Sequence, residues 1–310
     1  MQNIYEAVAS NKRKSVLIVI VFFVFTTSVL YVLSNAFSYY IGYEPGGLGF
    51  LGLAFIISGL MSFGSYFYSD KIVLGISGAK PADRKQFYDF YTVAENLAIG
   101  TGLPKPKLYV IDDSAPNAFA TGRDPHHGVI CATTGLLTKL NRTELEGVLA
   151  HEYGHIKNYD IRLMSVVSVL VGSIALLADW FLRIGFRGRG RSNDNDNGQI
   201  GAIFLILGII FAILSPIIAQ LIQLAISRRR EFTADATSVA ITRQPNGLIS
   251  ALKKIAADTE PLEAANKATA HLYIENPFKN KTKSAVGIFS NLFNTHPPVE
   301  ERIAALTKME

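Results

Sequence analysis

Two textures alternate along this chain. Four apolar stretches, at Val16–Leu33, Gly47–Tyr68, Ile161–Leu182 and Ile200–Ile226, carry almost no charge. The first two have the length of membrane-spanning helices. Between 70 and 160, polar and apolar residues instead recur at shorter spacings. Pro81-Ala82-Asp83 predicts a helix start, running to about Ile99 and stopping at Gly100 or Gly102. Lys107–Ile111, Asn117–Thr121 and Val129–Thr133 read as strands, the last two joined by a turn containing Gly122, Asp124, Pro125 and Gly128. A further helix begins near Asn141, with Asn141 as N-cap and Glu144 completing a capping box.

This pattern divides the chain into an N-terminal transmembrane hairpin (1–70), a polar segment (71–160), an apolar hairpin (161–226) interrupted by an Arg-rich loop at 183–199, and a polar C-terminal segment (227–310). Ser34-Asn35-Ala36 resembles a signal-peptide cleavage site, but the first run exceeds a signal core and a second span follows it, so we read an anchor. Lys12, Arg13 and Lys14 precede the hairpin, and Lys71, Lys80, Arg84 and Lys85 follow it. The positive-inside rule places both ends in the cytoplasm.

Composition sharpens the picture. Hydrophobic residues make up 49% of 310 positions and charged ones 18%, with a mean hydropathy of +0.25. This is too apolar for an ordinary soluble enzyme. The net charge of +5 sits beside the apolar runs, which points to the lipid bilayer as partner and not to nucleic acid. The single cysteine, Cys131, excludes an intrachain disulfide and a cysteine-based zinc site. It reads as a small buried residue.

The chemistry concentrates at His151-Glu152-Tyr153-Gly154-His155, an H-E-x-x-H segment on the capped helix. Residues four apart share a helix face, so His151 and His155 can turn two imidazoles to one Zn2+ ion, with Glu152 placed to take a proton from the attacking water. A catalytic zinc needs a third protein ligand. Glu231 is the candidate, and Asp235, four residues on, can accept a hydrogen bond from the free nitrogen of a zinc histidine. Two solvated acids on an amphipathic helix would look the same. His126 and His127, adjacent on a turn, are poor ligands because neighbouring side chains rarely converge.

H-E-Y-G-H, two apolar stretches, and then S-R-R-R-E-F-T-A-D resemble the HtpX-type membrane zinc metalloproteases. Pro116-Asn117-Ala118-Phe119-Ala120-Thr121-Gly122, and Thr295-His296-Pro297-Pro298 followed by Glu301-Arg302-Ile303, match as well. The CAAX prenyl proteases are more distantly similar. The resemblance implies an α+β fold: a gluzincin-like, mostly helical zinc-protease domain with a small antiparallel sheet, plus the two hairpins. It implies His151, His155 and Glu231 as zinc ligands and Glu152 as general base. It also implies that His296 and Arg302 steady the oxyanion, and that Asn117, Ala118 and Phe119 lie on an edge strand that binds extended peptide. The implied activity is endoproteolysis of damaged membrane proteins, in stress-linked quality control at the cytoplasmic face of the bacterial inner membrane. Prenyl-protein cleavage, and a non-enzymatic membrane protein with a structural zinc, are the alternatives. Self-association into a homo-oligomer is left open.

Overall fold

The computed structural model describes residues 4–40, 47–169, 172–173, 228–265, 269–275, 277 and 297–309. Most of the apolar hairpin expected at 161–226, its Arg-rich loop, and His296 lie outside these residues. Helix α1 (Ile4–Tyr40) and helix α2 (Gly47–Phe67) form the N-terminal pair. Within α1, Val8–Val32 is long and apolar enough to cross a membrane. The 21 residues of α2 span about 32 Å at 1.5 Å per residue, also a bilayer's hydrocarbon thickness. A bend of 74° then leads into α3 (Ser69–Ile76). The two long helices meet through an edge-on Phe23–Phe55 contact at 4.7 Å.

One stripe of α1, formed by Asn11, Ser15, Ile18, Phe22 and Thr26, is buried. The opposite positions are not: Leu17 is 60% exposed, and on α2 Ile56 is 61% and Leu60 67% exposed. So much contiguous apolar surface suits lipid, not water. Basic and aromatic groups gather where α1 and α2 adjoin the polar domain. Lys12 lies over Tyr159 at 4.3 Å, Arg123 over Phe67 at 5.4 Å and Lys71 over Tyr68 at 5.0 Å. Such pairs are typical of the headgroup level.

The polar domain is built on a four-stranded sheet in the order β1-β2-β4-β3. Strands β2 (Lys107–Ile111), β3 (Ala118–Thr121) and β4 (Val129–Thr133) fall where alternation predicts them. The sheet differs from the antiparallel one expected: β2 and β4 run parallel, while β1 (Lys80–Pro81) and β3 pair antiparallel with their neighbours. Pro81 therefore belongs to an edge strand, where its missing N–H costs nothing. The helix predicted from Pro81 starts later, as α4 (Tyr88–Thr101), and ends on a left-handed Gly102.

Side chains alternate across the sheet with period two. Ala118, Ala120, Ile130 and Ala132 face one core, together with α4 and the helices that carry the site. Phe119, Val129 and Cys131 face a second core that includes Ile18 and Phe22 of α1. The sheet thus has a core on each face, which is why all of β3 and β4 is buried.

Candidate metal centre

Helix α5 (Thr134–Lys139) leads into α6 (Arg142–Lys157), which carries the H-E-x-x-H segment. The expected capping box closes its start: Asn141 Oδ1 accepts from the Glu144 N–H and Glu144 accepts from the Asn141 N–H. Tyr153 fixes its height by donating to the Ala94 carbonyl of α4 at 2.6 Å. Helix α7 (Arg228–Thr242) crosses α6 closely. Gly154 allows this approach, since a Cβ there would lie 3.2 Å from the Ala234 Cα.

The crossing brings Glu231 to both histidines. The two Nε2 atoms are 3.1 Å apart, and Glu231 oxygens lie 3.6 Å from His155 Nε2 and 3.7 Å from His151 Nε2. A tetrahedral zinc with bonds of 2.0–2.1 Å needs donor atoms about 3.3 Å apart. The three groups can therefore hold one metal ion. The remote nitrogens are already committed. His151 Nδ1 faces Asp235 at 2.9 Å and His155 Nδ1 faces Asp160 at 3.1 Å. Each carboxylate can only accept, so both Nδ1 atoms carry a proton and the Nε2 atoms are the ones left to face a metal. Formal charge agrees. With both rings neutral, as metal ligands must be, four carboxyls (Glu152, Asp160, Glu231, Asp235) stand against two guanidiniums (Arg230, Arg302), leaving two negative charges in a buried site for a dication to neutralise.

The two rings feel different fields. Burial pulls His151 down to about 4, against the pull of Asp235. Burial also lowers His155, but the carboxylates of Glu231 and Asp160 outweigh it and raise this ring to about 9. Glu152 is buried and close enough to add to that rise. Asp235 is itself held below the ordinary carboxylate range: burial opposes its charge, and Arg302 and His151 together outweigh it.

Arg302, on helix α9 (Val299–Thr307), lies behind His151. Its guanidinium is fully buried, donates from Nε and Nη2 to the two oxygens of Asp235 at 2.9 and 2.6 Å, and from Nη1 to the Ile274 carbonyl at 3.1 Å. It backs His151 from the Nδ1 side, away from the Nε2 atoms where a carbonyl would react. The residues expected to bind peptide have partners within the chain. Phe119 is a core side chain, edge-on to Tyr273 at 5.1 Å. Asn117 uses its side chain on the Glu275 carbonyl at 3.1 Å, and the Ala118 carbonyl accepts from the Ile274 N–H at 2.9 Å. Part of the outer edge of β3 is therefore paired with its own chain. His126 and His127 sit in a short helical turn, where His127 meets Asp124 at 2.8 Å and neither joins the metal cluster. Asp160 and Arg230 are site residues that the spacing rules did not single out.

An H-E-x-x-H helix facing a carboxylate on a crossing helix, in a chain with a lipid-facing anchor, defines a membrane metallopeptidase. The chain belongs to peptidase family M48, whose family model matches residues 84–310. It is 45% identical to the Protease HtpX homolog of Caldanaerobacter subterraneus subsp. tengcongensis, over 99% of this chain and 98% of that one. It is 44% identical to that of Dictyoglomus thermophilum over 98% and 94%, and 39% identical to that of Streptococcus uberis over 99% and 100%. Among solved structures, the crystal structure of S. mikatae Ste24p is 17% identical with a TM-score of 0.42, covering 90% of this chain and 62% of that one. That likeness is too loose to argue from.

Proposed function

We propose that this membrane metallopeptidase is a zinc-dependent endopeptidase whose site lies at the cytoplasmic face of the bacterial inner membrane, and that it cleaves damaged or unfolded membrane proteins. His151, His155 and Glu231 would hold the zinc. The observation that carries this reading is the convergence of the two Nε2 atoms and Glu231, each ring locked from behind by a carboxylate. When bound, zinc supplies Lewis acidity, which polarises a scissile carbonyl and makes water a better nucleophile. Glu152 takes the proton of the attacking water and returns it to the leaving amine. Asp235 and Asp160 keep the two rings in one tautomer, and Arg302 holds Asp235 charged. Beyond its Ala118–Ile274 bond, the outer edge of β3 would take the substrate as an added strand. Location is supported by the basic start of α1, which packs beside the site, and by the basic residues after α2.

The test is Glu152→Gln in the full-length protein in detergent. The variant should bind zinc as the parent does and lose cleavage of unfolded casein by at least a hundredfold. Normal cleavage would rule out this mechanism. Cleavage of a prenylated peptide but not of casein by the parent would move the substrate class to prenyl-proteins.

A further inference from the structure

The N-terminal helix does more than anchor. Asn11 lies on the buried stripe of α1, only 3% exposed, and reaches the site 149 positions away in sequence. Its Nδ2 donates to Asp160 Oδ1 at 2.6 Å and to the Asn158 carbonyl at 2.9 Å, and its Oδ1 accepts from Arg230 Nη2 at 2.7 Å. The orientation of the amide follows from these partners, because the guanidinium only donates while the carboxylate and carbonyl only accept. The other oxygen of Asp160 takes the His155 Nδ1 proton at 3.1 Å. Arg230 Nε joins Asp160 Oδ1 at 3.1 Å, and Arg230 directly precedes Glu231.

The backbone beside this network is unusual. Between α6 and the helical run at 160–169, Tyr159 adopts φ 59°, a left-handed conformation uncommon for a bulky residue. That turn presents the Asn158 carbonyl and the Asp160 carboxylate side by side, and Asn11 bridges both. Such a backbone persists only where its surroundings hold it, and Lys12, lying over the Tyr159 ring at 4.3 Å, adds a second hold from α1.

We infer that Asn11 is a positioning residue of the metal centre: it fixes Asp160 against His155 and ties Arg230, and so the start of the Glu231 helix, to the membrane anchor. This rests on His155 being a zinc ligand. An apolar helix that served only as a tether would have no need of a fully hydrogen-bonded amide at this level.

The test compares Asn11→Leu, similar in volume and suited to an apolar helix, with Asp160→Asn, His155→Ala and a packing control, Ser15→Ala. Ser15 is buried on the same stripe, and its hydroxyl donates only to the Asn11 carbonyl. The readouts are zinc affinity by chelator competition and the absorption spectrum of the Co2+-loaded protein. Asn11→Leu should weaken zinc binding by roughly threefold to tenfold and alter the Co2+ spectrum, less than the 10–100-fold typical of a direct outer partner such as Asp160. Ser15→Ala should do neither. In an Asp160→Asn background, Asn11→Leu should have a smaller further effect, confined to what passes through its bond with Arg230. Should the leucine variant not accumulate, Asn11→Ser is read in its place. Parental affinity and spectrum in the Asn11 variant, with Asp160→Asn weakened, overturn the inference alone. Parental zinc binding in His155→Ala overturns the metal assignment on which it rests.

Discussion

Arg302 has two readings, one implied by the family resemblance and one suggested by its partners. A cation near a metallopeptidase centre suggests oxyanion stabilisation, yet the guanidinium is spent on Asp235 and on the Ile274 carbonyl. The two roles make different predictions. Arg302→Met would leave the Asp235 carboxylate buried without its counter-charge, an effect of about 3–5 kcal/mol on stability. The expected outcome is a markedly lower unfolding temperature of the metal-free protein, along with weaker zinc binding through a loosened His151. A variant that melts with the parent and loses only kcat would instead restore the oxyanion role. A solvated charge on the helix would move neither quantity. Asp160 carries a related lesson. It lies five residues past His155, but the helix breaks at Asn158 and Tyr159, so no helical spacing rule links the two. Its partner Asn11 is farther still from any local signal.

At the scale of elements, α6 is set by its two ends and by what crosses it. Glu144 closes the capping box, accepts from Ser250 at 2.6 Å, and pairs with Lys254 of helix α8 (Pro245–Ala257) at 2.7 Å. Burial disfavours its charge, but Lys254, Ser250 and the Asn141 N–H together lower its pKa below the ordinary 4.5. A lowered carboxyl contributes stability that is complete above its unfolded value and is lost as pH falls through the folded one. Lys254 is half exposed, so the pair is partly screened and the contribution is about 1 kcal/mol. Glu144→Gln should therefore melt below the parent near neutral pH, and the gap should close as the pH is taken below about 4.5. A constant gap across that range would assign the effect to the cap alone. The same elements show what sequence discloses. The capping box, β2, β4 and the helix pairing of Glu231 with Asp235 follow local rules and were legible. Pro81 misleads because a proline before an acid suits a helix start and an edge strand equally, and only the β2 partner decides. The parallel pairing of β2 with β4 was not legible either, since strand order is settled by which faces the helices and α1 cover.

For the molecule as a whole, the sheet lies between two cores: Phe119 and Cys131 belong to the one that also holds Ile18 and Phe22 of α1, Ala118 and Ile130 to the one that holds the apolar side chains of α6. Because the start of α1 meets the site, the membrane side of Lys12–Lys14 is also the side of the chemistry. The basic residues that follow α2 lie on that side too, and by the positive-inside tendency they support the cytoplasmic face proposed for the site. Cys131 makes this directly testable. It is wholly buried, and burial pushes its thiol up, so the parent should resist a maleimide in the folded state. Cysteines introduced singly at the exposed Gln86 and Glu300 then report the face alone. A membrane-impermeant maleimide should leave both unlabelled in intact spheroplasts and label both after lysis. Labelling of either before lysis would place the site on the outer face, against the charge distribution, and would remove cytoplasmic segments from the substrates this protease can reach.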